Sequence, residues 1–149
     1  MMKIRVTKEF DFEMAHALKN YDGLCSNVHG HSYQLSVCII GEVLNDEENP
    51  KNGMVADFSD IKKMVKTHII KKLEHSLMLS GKEATQGLDL KNPMFGRLMM
   101  VDFQPSCENI IIYISEELKK VLPGHLSLHS LKLRETSNSY AEWFAGDNP

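Results

Sequence analysis

The chain has 149 residues, 42% hydrophobic and 25% charged, with 17 Lys and Arg against 20 Asp and Glu, a formal net charge of −3. That length and balance fit one domain, residues 1–149, with a full core, and they exclude the basic patch of a nucleic-acid binder. No apolar run is long enough to span a membrane, the opening MMKIRVTKEF carries no signal-peptide core, and three scattered cysteines do not make a disulfide framework, so a protein of a reducing cytoplasm is expected.

The first predicted element is a strand over roughly 3–16. Ile4, Val6, Phe10, Phe12, Met14 and His16 share one parity, and Arg5, Thr7, Glu9, Asp11 and Glu13 the other, the period-two mark of a half-buried strand. A second strand follows over roughly 30–43, where His29, His31, Tyr33, Leu35, Val37 and Ile39 lie on one face. If the two pair antiparallel, His16 meets His29 and His31 on the same face. Residues 17–28 then form the connecting loop, which suspends Cys25 above them. Three neutral imidazoles fill three positions of a tetrahedral zinc and leave the fourth open, the arrangement of a catalytic site, where the ion acts as a Lewis acid on a bound oxygen. The plainer alternative is a strand-end histidine followed by an HGH turn. The convergence of three residues by parity favours the metal. His68, His125 and His129 have no such argument and are not expected to be ligands. Cys38 and Cys107 read as structural.

A polar run from Asn45 to Gly53 is a loop. Asp57 is placed to cap a helix, with Asp60 in its first turn. Phe58, Ile61, Val65, His68 or Ile69, and Leu73 form its apolar stripe, and Lys62, Lys63, Lys66, Lys71 and Lys72 its solvated face. Leu73-Glu74-His75 ends it. Residues 80–96 read as an irregular loop, and Leu98–Val101 as a short strand. Ser106 caps a second helix with the stripe Ile110, Ile111, Ile114, Leu118, Val121 and Leu122, which Pro123-Gly124 stops. Strands over 125–134 and 139–144 complete the order strand, strand, helix, helix, strand, strand.

The chain resembles the 6-pyruvoyl-tetrahydropterin synthase and 6-carboxytetrahydropterin synthase family over nearly its whole length. The marks are Phe12-Glu13-Met14-Ala15-His16, Cys25 separated by three residues from His29-Gly30-His31, Val55-Ala56-Asp57-Phe58, Leu73-Glu74-His75, Pro105-Ser106-Cys107-Glu108-Asn109, Arg134-Glu135-Thr136 and Ser139-Tyr140-Ala141-Glu142. The resemblance implies an α+β tunnelling fold: a four-stranded antiparallel sheet (ββααββ) with two helices on one face. It implies Zn2+ on His16, His29 and His31, and Glu135 as the pterin anchor, since one carboxylate offers two coplanar acceptors to a pair of N–H groups. It also implies a homohexamer, a dimer of trimers, whose active site lies between subunits, with Glu135 able to reach a neighbour's zinc.

The spacing of Cys25 and His29 is that of the carboxy-forming members. The implied reaction converts 7,8-dihydroneopterin triphosphate to 6-carboxy-5,6,7,8-tetrahydropterin, acetaldehyde and triphosphate, a step toward queuosine. Cys25, as a thiolate near a dication, would move a proton, and His75, oriented by Glu74, would be the second acid/base group. Three departures stand out: Glu74 replaces the family's usual Asp, the residues after His75 differ from the family's usual Asn-bearing run, and the 80–104 segment is longer than in short bacterial members. Lys19 and Arg97 are cations to weigh for the triphosphate, and neither is chosen. The rival readings are the pyruvoyl-forming enzyme, which stops at triphosphate elimination, and a non-catalytic zinc or pterin-binding module, which predicts a closed metal site.

Overall fold

The computed structural model describes residues 1–81 and 85–149. Strand β1 (Lys3–His16) pairs antiparallel with β2 (His29–Glu42) in unbroken register from Lys3 opposite Glu42 to His16 opposite His29. The alternation acts as expected. Phe10, Phe12, Met14 and His16 are buried with Tyr33, Leu35, Val37 and Ile39, while Arg5, Thr7, Glu9, Asp11 and Glu13 stay exposed. Phe12 lies directly across from Tyr33, with the rings stacked at 5.0 Å.

The first helix begins at Phe58, capped by the Asp57 carboxylate, which accepts from the Ser59 N–H at 2.8 Å and is paired with Lys51. It runs as α1 (Phe58–Val65) through a π-helical turn, Lys66–Ile70, into α2 (Lys71–Leu73). The wider turn lets two consecutive residues, Ile69 and Ile70, both reach the core with Ile61, Val65 and Leu73. Phe58 departs from the expected stripe and is 49% exposed. The five lysines form the solvated face as read.

The sheet is larger than the sequence indicated. Strand β3 (Ser76–Ser80) pairs parallel with Met14–His16 of β1, and β4 (Leu98–Val101) pairs parallel with β3. The order is β4-β3-β1-β2-β5-β6, so the sheet is six-stranded and mixed, not four-stranded and antiparallel. Both added strands fall between the two helices, which corrects the ββααββ order. The chain leaves α2 beside the end of β1, and five residues of mainly apolar side chain continue as a strand there. Of the region read as irregular, the described residues hold a 3-10 turn at Pro93–Phe95.

Helix α3 (Cys107–Val121) is capped by Ser106 Oγ, which accepts from the Asn109 N–H at 3.3 Å, and it buries Ile110, Ile111, Ile114 and Leu118. Strand β5 (Ser127–Thr136) starts and ends two residues later than read, so Glu135 lies within it. It pairs antiparallel with β2 and with β6 (Ser139–Phe144). The core lies between one sheet face and the helices, and the other face is polar and open. No helix among the described residues is long and apolar enough to cross a membrane.

Candidate metal centre

The in-register β1–β2 ladder sets the site. Because His16 pairs with His29 and side chains alternate, His16, His29 and His31 project from the same face at the same end of the hairpin. Their ligand atoms lie within 4.8 Å of one another, and among the described residues they are the one group of three or more His, Cys, Asp and Glu so placed. His68, His125 and His129 stand outside it, as expected.

Backbone carbonyls fix the tautomers of two rings. His16 Nδ1 is 2.6 Å from Pro105 O, and His29 Nδ1 is 2.7 Å from Asn27 O. A carbonyl only accepts, so each Nδ1 carries the proton and each Nε2 turns a bare lone pair inward. Those two Nε2 atoms stand 3.1 Å apart. Two lone pairs at that distance repel unless a cation joins them. Burial holds His16 and His31 below the usual imidazole range, so protons are a poor choice of cation. The donor set is three imidazoles, two of them with carbonyl-fixed tautomers, which suits a divalent transition metal.

Glu135 faces the histidines of its own chain. Its Oε1 lies 3.4 Å from His16 Nε2 and 3.6 Å from His31 Nε2, and accepts from the Tyr33 hydroxyl at 3.2 Å. Burial, then the Glu135 charge, pushes the Tyr33 hydroxyl above its ordinary value, so it stays a donor. Cys25 sits in the 3-10 turn Leu24–Ser26, half-buried, and its sulfur is outside the clustered ligand atoms. Its loop is tied down by two bonds: Gln104 Oε1 accepts from the Lys19 N–H at 3.0 Å, and Gln104 Nε2 donates to Lys19 O at 2.8 Å.

Glu74 and His75 stand together but apart from the imidazoles. His75 Nδ1 is 2.5 Å from Glu74 Oε1, and the His75 N–H donates to Glu13 O at 2.7 Å. Among the described residues neither side chain makes a hydrogen bond or ion pair with the three histidines. A cleft of about 310 Å3 joins the two groups, lined by Glu13, His31, Ser32, His75 and Ser76. A cavity of about 1250 Å3 opens at the opposite end of the hairpin, by Lys3 and Glu42, and is lined by none of these residues.

This chain matches the 6-pyruvoyl tetrahydropterin synthase family over residues 5–145. The chain belongs to that family. A 6-carboxy-5,6,7,8-tetrahydropterin synthase of Haemophilus influenzae is 35% identical over 141 residues, covering 93% of this chain and 97% of that protein. A 6-pyruvoyl tetrahydrobiopterin synthase of Pongo abelii is 34% identical over 119 residues, covering 78% of this chain and 68% of that one. Among solved structures, the 6-pyruvoyl tetrahydropterin synthase of Caenorhabditis elegans superposes with a TM-score of 0.67 at 24% identity, covering 97% of this chain and 96% of that one. Family membership makes the chain an enzyme of the lyase class.

Sequence reasoning missed Tyr33, Gln104 and the carbonyls of Pro105 and Asn27. Tyr33 was within reach, as the next residue on the His29–His31 face. The carbonyl of Pro105 leaves no signal, because any residue has one. Gln104 acts through a loop contact that no periodicity encodes.

Proposed function

We propose that the enzyme is a zinc lyase that converts 7,8-dihydroneopterin triphosphate and water to 6-carboxy-5,6,7,8-tetrahydropterin, acetaldehyde and triphosphate. The observation that carries this reading is the near full-length match to a 6-carboxy-5,6,7,8-tetrahydropterin synthase at 35% identity, on a chain whose three imidazoles converge. Two nitrogens on one tetrahedral zinc stand about 3.3 Å apart, close to the 3.1 Å between His16 Nε2 and His29 Nε2. His16, His29 and His31 would hold the ion. Zinc, when bound, supplies Lewis-acid polarisation of a substrate oxygen.

The chain's own residues then divide the work. Cys25, on the loop that Gln104 ties down at Lys19, would take a proton from the substrate side chain. Glu74 fixes His75 with Nδ1–H toward Oε1, which leaves Nε2 to move the second proton. Glu135 receives the pterin N–H groups, with Tyr33 holding its Oε1 in place. His75 does not contact the imidazoles of its own chain, which supports a site completed by another subunit in a homohexamer. The deciding experiment is incubation with 7,8-dihydroneopterin triphosphate followed by product mass analysis. Release of acetaldehyde and the 6-carboxy product supports the reading. Triphosphate release with all substrate carbons retained would move the enzyme to the pyruvoyl-forming reaction, which the Pongo abelii relative represents. No turnover by zinc-loaded protein would favour a non-catalytic pterin-binding module.

A further inference from the structure

His75 and Asn20 are the two non-glycine residues with a left-handed backbone among those described, at φ 57° and 60°. Asparagine tolerates that region because its short amide bonds locally. Histidine enters it more often than most residues do, but its Cβ still meets a steric cost that glycine escapes. Its place, directly after the helix-capping Glu74, is where helices most often put glycine. The ring is 74% exposed, so packing of the side chain does not hold the conformation. A residue kept in a sparsely populated region must be held by its surroundings, and such residues concentrate at working sites.

Here the surroundings are Arg97, which lies immediately before β4. Its Nε donates to Glu74 O at 2.8 Å, and its Nη2 to Lys71 O at 2.6 Å. The last carbonyls of a helix have no partner within it, and one planar guanidinium reaches two of them, which an ammonium cannot do with the same geometry. On the far side of His75, the Leu77 N–H donates to Arg97 O at 3.2 Å. Arg97 thus grips the backbone before and after His75, while the His75 N–H is held by Glu13 O and Glu74 Oε1 accepts from the Glu13 N–H at 3.3 Å.

We infer that Arg97 is a positioning residue: its guanidinium clamps the left-handed Glu74–His75 turn and so presents the His75 ring for proton transfer, and it is not a phosphate-binding cation. The inference rests on the role proposed above for His75. It also gives the segment between the two helices a task, because β3 and β4 are what deliver Arg97 to the helix end.

The test uses full-length, zinc-loaded Arg97→Ala and Arg97→Lys. In Arg97→Ala, kcat for 7,8-dihydroneopterin triphosphate falls about 10-fold or more, with KM within about twofold and zinc content unchanged. Amide exchange at His75 quickens about 10-fold while the amides of α3 keep their protection. Arg97→Lys recovers less than half of the lost rate. A raised KM at constant kcat would make Arg97 a contact to the substrate's phosphates and overturn the inference, as would unchanged exchange at His75. A second pair reads the strain alone. His75→Ala and His75→Gly both lack the imidazole, and His75→Gly melts about 2–4 °C higher. Equal melting would remove the strain from the account. If wild-type protein leaves the substrate intact, the proposed reaction fails, while exchange and melting still decide whether the clamp exists.

Discussion

Pro105 contributes no side chain to the metal centre, yet its carbonyl decides which nitrogen of His16 faces inward. Asn27 does the same for His29. With both Nε2 atoms bare and 3.1 Å apart, removing either ring leaves too few donors for an ion. Elemental analysis of purified protein should find about one zinc per chain in the wild type and a loss of it in His16→Ala and His29→Ala. Cys25→Ala should behave oppositely, retaining zinc while turnover falls on the order of 10²-fold or more, because a proton-transfer group is lost and no ligand is. Zinc lost with Cys25 would make it a fourth ligand and close the site. The other cysteines play no such part: Cys107 is buried, its thiol pushed up to about 12, mainly by that burial. The three imidazoles were legible because parity along a strand is a direct image of which face a side chain takes. Glu135 was legible through resemblance alone. Its approach to its own chain's histidines depends on how β5 registers against β2, and nothing in the sequence of either strand states that register.

At the scale of elements, the caps, the apolar stripes and the short strands β4 and β6 could be read, and β3 could not. Ser106 was identified as the cap of α3, and Ser106→Ala should cost about 1 kcal/mol in chemical denaturation. It also loosens the turn that carries the Pro105 carbonyl, so zinc affinity should drop with stability. Leu118, fully buried on the α3 stripe, should cost about 2–5 kcal/mol as Leu118→Ala. On the outer side of α3, Glu117 bonds Lys120 and Lys72. Chiefly the Lys120 bond lowers the Glu117 pKa below its ordinary 4.5. A carboxylate depressed in the folded state adds stability above its unfolded pKa and loses it as the pH falls through the folded value. Glu117→Gln should therefore narrow the difference in melting temperature between neutral pH and the acid side of pH 4.5. Strand β3 escaped the reading because Ser76–Ser80 is too short to show a period, and its parallel partners are far away in sequence. The π-helical turn escaped because Ile69 and Ile70 look like one stripe position and its neighbour until both are found buried.

Taken whole, the molecule has a sheet with two unfinished borders. Strand β3 covers only Met14–His16 of β1, so the rest of that border, from Lys3 to Glu13, has no neighbour among the described residues, and β6 ends the other side. Open borders with unpaired N–H and C=O groups invite another strand, and pairing β6 of one copy with β1 of the next would close a ring. Light scattering should therefore report an assembly, with six chains expected, and a monomer at working concentration would contradict it. The contact between His16 and Pro105, 89 residues apart, has a further consequence in time. A chain emerging from the ribosome completes all three imidazoles before a quarter of its length is made, but the carbonyl that orients His16 arrives only with the segment that opens α3. Closing so long a loop is slow compared with forming the β1–β2 hairpin. An ion bound there would thus meet an oriented His16 only late in biosynthesis, and a chain stopped between residues 43 and 104 would carry the hairpin and its three histidines without the carbonyl that orients His16.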